Sequence, residues 1–158
     1  MANLFRCPII IEKKEYIMKA VGLVQNGYTA DAIYDRPFTD GENAHGTYWA
    51  EATNAGETFV RYAFDATNWN KLYVNQAYYY RYSSNTRSGI GVVKNYHYIA
   101  DMRNNWVYTQ VTQEKTDYVI DISTMSGTMW FFIHAESNAE FTYTRAKTFV
   151  EGDVYLTK

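Results

Sequence analysis

The sequence predicts an all-β fold: an antiparallel β-sandwich whose two sheets pack face to face, with jelly-roll connections favoured over immunoglobulin-type ones. Three observations predict it. The chain of 158 residues carries 16 Tyr, 8 Phe and 4 Trp, residue types that suit a pleated, half-buried surface. Only 2 Pro interrupt it, whereas short polar turns containing Gly recur between alternating segments. The third observation is the stretch 116–137, TDYVIDISTMSGTMWFFIHAES, which reads as two strands joined by a tight turn. Tyr118, Ile120 and Ile122 share one parity, and Asp117, Val119 and Asp121 the other, as in a strand with one buried face. Ser123 to Gly127 supplies turn formers. Beyond the turn, Met129, Phe131, Ile133 and Ala135 fall on one face, and Trp130, Phe132 and His134 on the other. A run apolar on both faces is expected in the middle of a sheet, its second face covered by another segment, a partner chain or a ligand.

The remaining elements follow in order. Residues 1–46 form a less regular lead-in, and residues 47–158 the sandwich core, all within a single domain. In the lead-in, Ile9 to Ile11 is a short strand, and Tyr16 to Val24 reads as strand or as one or two helical turns. This lead-in either packs on the sandwich or serves as a docking arm. Gly, Asn, Asp and Pro between Asn26 and Gly46 indicate loops around a short strand at Ala32 to Tyr34. Strands are then expected at Thr47–Ala52 and Thr58–Phe64, where Val60, Tyr62 and Phe64 alternate with Phe59, Arg61 and Ala63. Another starts at Lys71–Val74 and continues, or bulges, through Tyr78–Tyr82. Ser88–Val93, Tyr96–Ala100, Val107–Thr112, Phe141–Lys147 and Asp153–Thr157 complete the set, with no helix expected.

Charge and composition exclude several classes. The net charge is -2 and no basic stripe is visible, so nucleic acid is not the expected partner. The single cysteine, Cys7, rules out an intrachain disulfide and a thiolate metal cluster. No signal peptide precedes the charged EKKE, and no apolar run approaches the roughly 20 residues that span a bilayer, so membrane insertion is not expected.

No catalytic set emerges. His45, His97 and His134 lie in separate segments, and no nucleophile elbow, Walker loop or H-E-x-x-H occurs. Glu136 with Glu140, or Asp117 with Asp121, provides the carboxylates of a glycosidase pair, but each flanks a strand end or turn where carboxylates are ordinarily solvated. The aromatic residues point elsewhere. Sugars offer C–H faces that stack on rings while their hydroxyls meet polar neighbours. Tyr78 and Tyr80 share a face, with Tyr79 opposite; Trp106 follows the donors Arg103, Asn104 and Asn105; Trp130 and His134 share a face. Tyr78, Tyr80, Arg103, Trp106, Trp130 and His134 are therefore the candidate glycan surface. The competing reading makes these rings core or inter-subunit contacts and His134 a hydrogen-bonded structural residue.

The order ETFVRYAFD, WNKLYV, TDYVIDISTMSG, MWFFIH and GDVYLTK, over about residues 57–158, resembles the galactose-binding-like jelly rolls of carbohydrate-binding modules. The versions carried by bacteriophage tail and virion proteins are especially similar, and the opening MANLFRC resembles the start of small phage structural proteins. That resemblance implies a non-catalytic, virion-located module that binds host-surface glycan or other virion proteins, with a purely structural homo-oligomer as the alternative. It also implies that Asp121 fixes the turn, and that Asp153 stands where some such modules place a carboxylate near a structural calcium ion.

Overall fold

The computed structural model describes residues 14–18, 32–36, 48–53, 56–81, 86–137 and 145–158. The expectations resting on Cys7, Ile9 to Ile11, His45, Tyr82 and Glu140 lie outside them. The strands are β1 (Lys14–Met18), β2 (Ala32–Arg36), β3 (Tyr48–Thr53), β4 (Glu57–Asp65), β5 (Lys71–Arg81), β6 (Thr86–Val93), β7 (Val107–Gln110), β8 (Thr116–Asp121), β9 (Thr128–Ser137), β10 (Arg145–Val150) and β11 (Val154–Thr157). One helix, α1 (Ile99–Asn105), lies between β6 and β7.

These strands form an all-β sandwich of two sheets. Sheet A runs β1–β11–β5–β10–β3 with β8 on the other edge of β5, and sheet B runs β2–β4–β9–β6–β7. Both are antiparallel except at the outer edge of sheet B, where β2 runs parallel to β4. With β1 and β2 set aside, the orders β3–β10–β5–β8 and β4–β9–β6–β7 interleave in the manner of a jelly roll. The 11 residues of β5 pair first with β11 and then with β10 along one edge. A bulge between Val74 and Ala77, with Gln76 at φ 53°, restores the inward parity of Ala77 after Leu72 and Val74. The anticipated continuation with a bulge is therefore present.

The stretch 116–137 departs from its simplest reading. β8 and β9 do not pair with each other: β8 joins β5 in sheet A, while β9 lies between β4 and β6 in sheet B. The turn between them is an inter-sheet corner, anchored by Ile122 N–H donating to Asn70 O at 2.9 Å and Gly127 N–H donating to Thr67 Oγ1 at 2.9 Å. Asp121 accepts a bond from the Ser123 amide at 2.9 Å, the turn-fixing role implied for it. Positive φ at Gly127 (71°) completes the corner.

Between the sheets, Val60, Tyr62, Leu72, Ile90, Phe131 and Ile133 are buried, each at 2% exposure or less. The alternation in β4 and β9 thus faces inward as the sequence indicates. A second cluster lies on the outer side of sheet B, formed by Phe59, Val93, Met102 and Phe132. Its cover is α1; the strand expected at Tyr96–Ala100 is not formed, residues 96–98 being irregular and the helix beginning at Ile99. Ile99 and Met102 fall on one helical face and pack on the sheet, Met102 fully buried, and Trp106, in extended conformation just past the helix, packs there too. A helix of 7 residues has little stability alone, so this docking holds it in place.

Candidate functional site

The outer face of sheet B sets chemistry-bearing residues in rows across three strands. Glu57, Glu136 and Arg87 are register partners, as are Phe59, His134 and Gly89, and next Arg61, Phe132 and Gly91. The glycines matter because rings lie where their side chains would be. A Cβ at Gly89 would stand 2.3 Å from the Tyr108 ring, and one at Gly91 would stand 2.4 Å from the Phe132 ring. Tyr108 can therefore lie flat on β6 and reach His134, its hydroxyl 3.0 Å from Nδ1. Trp106 stacks on Tyr108 with centroids 4.4 Å apart, and the Arg87 guanidinium lies 5.2 Å above Trp106.

A continuous polar chain runs beneath this cover. His134 Nε2 is 2.8 Å from Glu57 Oε1. Arg103, on α1, donates through Nε to Glu57 Oε1 at 3.0 Å, also bonds Glu57 Oε2 through Nη2, and reaches Glu136 Oε1 at 2.8 Å. Arg87 donates to Glu136 Oε2 at 2.8 Å. Because an ionised carboxylate only accepts, the His134 proton sits on Nε2, and Nδ1 accepts from the Tyr108 hydroxyl. Every polar atom of the imidazole then has a partner, as a fully buried ring requires.

The electrostatics follow from this packing. Burial pushes the His134 pKa below the ordinary histidine value, against the opposing pull of Glu57. Burial raises the Glu57 carboxyl, but hydrogen bonds from His134 and Arg103 outweigh it and hold the group below its usual value. Burial also drives the Tyr108 phenol well above its normal range. A nucleophilic Tyr108 would need a depressed pKa and a general-acid Glu57 a raised one, the opposite of the directions found for these two groups. Glu57, His134 and Glu136 also place ligand atoms within 4.8 Å of one another. Arg103 bonds both carboxylates and Arg87 bonds Glu136, so the two negative charges already face two guanidiniums, while Nε2 carries a proton. Asp153 lies outside this cluster, at the corner between β10 and β11, where its backbone carbonyl accepts from Asn75 N–H at 2.9 Å.

No protein-family model matches the chain, and no curated protein matches it. Among solved structures, a crystal structure of the Yersinia pseudotuberculosis-derived mitogen is similar to 67% of this chain and 83% of that one, at 14% identity and a TM-score of 0.36.

The six candidate residues divide between two surfaces. Arg103, Trp106, Trp130 and His134 gather at the outer face of sheet B. There His134 has no exposed surface to offer a ligand, and Arg103 sits in the last turn of α1 rather than in a loop. Trp130 lies under the Arg61 guanidinium at 4.7 Å, and Arg61 in turn donates to Tyr96 O at 3.0 Å, tying down the approach to α1. Tyr78 and Tyr80 stand on the outer face of sheet A, while Tyr79 packs against the main core as its parity implies. On that outer face Tyr78 stacks on Phe149 at 4.8 Å and Tyr73 on Tyr155 at 5.0 Å. Lys115 lies 5.4 Å over Tyr78, whose hydroxyl donates to Glu151 at 2.7 Å. Tyr80 is 50% exposed and neighbours Lys147, which pairs with Glu51 at 3.0 Å. Sequence reasoning missed Glu57, Arg87 and Tyr108. The alternating S-G-I-G of β6, which clears one outward face of side chains, was the available signal for a ring lying there.

Proposed function

We propose that this chain is a non-catalytic module of a bacteriophage virion or tail that binds host-surface glycan through the outer face of sheet A. The observation that carries the reading is Tyr80, half exposed beside the Lys147–Glu51 pair and the stacked rings of Tyr78 and Phe149. A sugar ring needs an aromatic surface for its C–H face and polar groups around it for its hydroxyls, and both are present there. The phage setting is supported by the ordered motifs of residues 57–158 and by the opening MANLFRC. Titration with host polysaccharide fragments, followed by NMR, tests it. Tyr80→Ala should abolish binding, whereas Tyr98→Ala, at a 72% exposed ring beside α1, should leave it intact. No binding by the unaltered protein at millimolar ligand would remove the glycan reading.

A second reading has its own support. The stacked pairs on sheet A occupy one another's faces, and Lys14 and Lys115 lie over Tyr155 and Tyr78. Such a ridge suits burial against other virion proteins or further copies of this chain. Light scattering separates the cases for self-assembly, since a strict monomer at high concentration argues against a homo-oligomer.

A further inference from the structure

An open cleft of about 720 Å³ lies at the connection between β7 and β8, within the size range of small-molecule sites. The partly buried Tyr79 forms its apolar side, backed by Val111, which is 1% exposed and belongs to the core. Gln110, Thr112, Gln113, Glu114 and Thr116 line the rest. The connection is held in place by both sheets. Thr112 O accepts from Tyr79 N–H at 2.9 Å, and Val111 N–H donates to Ser88 O at 3.1 Å. Within it, the Thr112 and Thr116 hydroxyls lie 3.3 Å apart and both donate to Glu114 O, while the Thr112 amide donates to the Tyr118 hydroxyl at 3.0 Å. The wall is thus fixed before any ligand arrives, which lowers the entropy cost of binding.

From this we infer that the cleft is a saccharide subsite selective for neutral sugars. The inference rests on the glycan-binding reading above and adds a place and a charge class to it. Carboxamides of Gln110 and Gln113 both donate and accept, which matches sugar hydroxyls that do the same. Glu114 adds a negative charge at the rim, and the neighbouring Lys115 is committed to Glu151 at 2.5 Å. An acidic sugar therefore meets an unfavourable charge at the rim, where the adjacent Lys115 is already paired with Glu151.

The test is amide chemical-shift mapping of the full chain with maltose and lactose as neutral probes, and a glucuronate-containing disaccharide as the acidic one. Gln110 and Gln113 are exposed, so Gln110→Ala and Gln113→Ala should preserve the fold. The expected result is saturable shifts at Tyr79 and residues 111–116 with a neutral probe, weakened about tenfold by the paired substitution. Equal binding of the acidic disaccharide overturns the selectivity. Shifts confined to Lys147, Phe149 and Tyr80 overturn the cleft while leaving the sheet A surface standing. Absence of shifts anywhere overturns both.

Discussion

Lowering the pH from 7 to 5 probes the packing around His134 directly. Its ring is fully buried between the Glu57 carboxylate and the Tyr108 hydroxyl, and burial depresses its pKa below the ordinary value of 6.5. In the unfolded chain the same histidine takes up a proton as the pH falls through that value. The unfolded state then binds more protons than the folded one, so stability declines toward acid. While the folded ring stays neutral, the loss is RT ln(1 + 10^(6.5 − pH)), about 2 kcal/mol at pH 5. Glu57 adds a second window. Its folded pKa is also depressed, so its contribution is complete above the unfolded value of 4.5 and is lost as the pH falls through the folded one. The assay is urea denaturation at pH 7, 6 and 5, followed by Trp fluorescence, on the unaltered protein and on His134→Gln. The glutamine carboxamide keeps a donor for Glu57 and does not titrate. The unaltered protein should lose stability between pH 7 and 5, by at most about 2 kcal/mol, the limit reached if the folded ring stays neutral throughout. The variant should start lower and stay nearly level, with His45 and His97 common to both. Parallel slopes in the two proteins would refute the reasoning.

Two further outcomes test the cover over sheet B. Met102→Ala empties a fully buried site and should cost about 2–5 kcal/mol in urea, with Trp106 emission shifting to the red as α1 loosens. Gly89→Ala would put a methyl 2.3 Å from the Tyr108 ring and 2.7 Å from Thr109 O, so about 1–3 kcal/mol should be lost in thermal unfolding. A neutral result for Gly89→Ala would mean that Tyr108 is not held against β6.

What the sequence made legible was local alternation, and what it hid was long-range pairing. Val60, Tyr62 and Phe64 in β4, and Met129, Phe131 and Ile133 in β9, announce their inward faces because the pleat has a period of two residues. Asn75 and Gln76 interrupt such a pattern in β5, and a bulge is what an interrupted pattern with continuing apolar parity implies. The corner at Ser123–Gly127 was misleading because the same turn chemistry serves a hairpin or a crossing between sheets. Only the partners β5 and β4 decide which. Helix α1 was hidden because seven residues hold too few apolar positions for a 3.6-residue period to emerge over an alternation. The ion network was hidden for another reason. Glu57 meets Arg103 across 46 residues and His134 across 77, separations that no local pattern reveals.

The two outer faces of the sandwich solve the same problem differently. Sheet B closes its aromatic face with its own chain: α1 supplies Met102 as the plug, and Arg103 bonds two carboxylates to hold it. Opening that face would expose Phe59 and Phe132 and leave Glu57 and Glu136 short of a cation, so ligand exchange there would cost several favourable contacts at once. Sheet A instead keeps Tyr80 and Val119 about half exposed, at 50% and 52%, beside rings already paired with each other and with lysines. Those pairings restrict ring rotation before any partner docks, so less side-chain entropy remains to be lost on contact. Sheet A and its rim, including the cleft floored by Tyr79, are thus where a partner can be met without unfolding anything first.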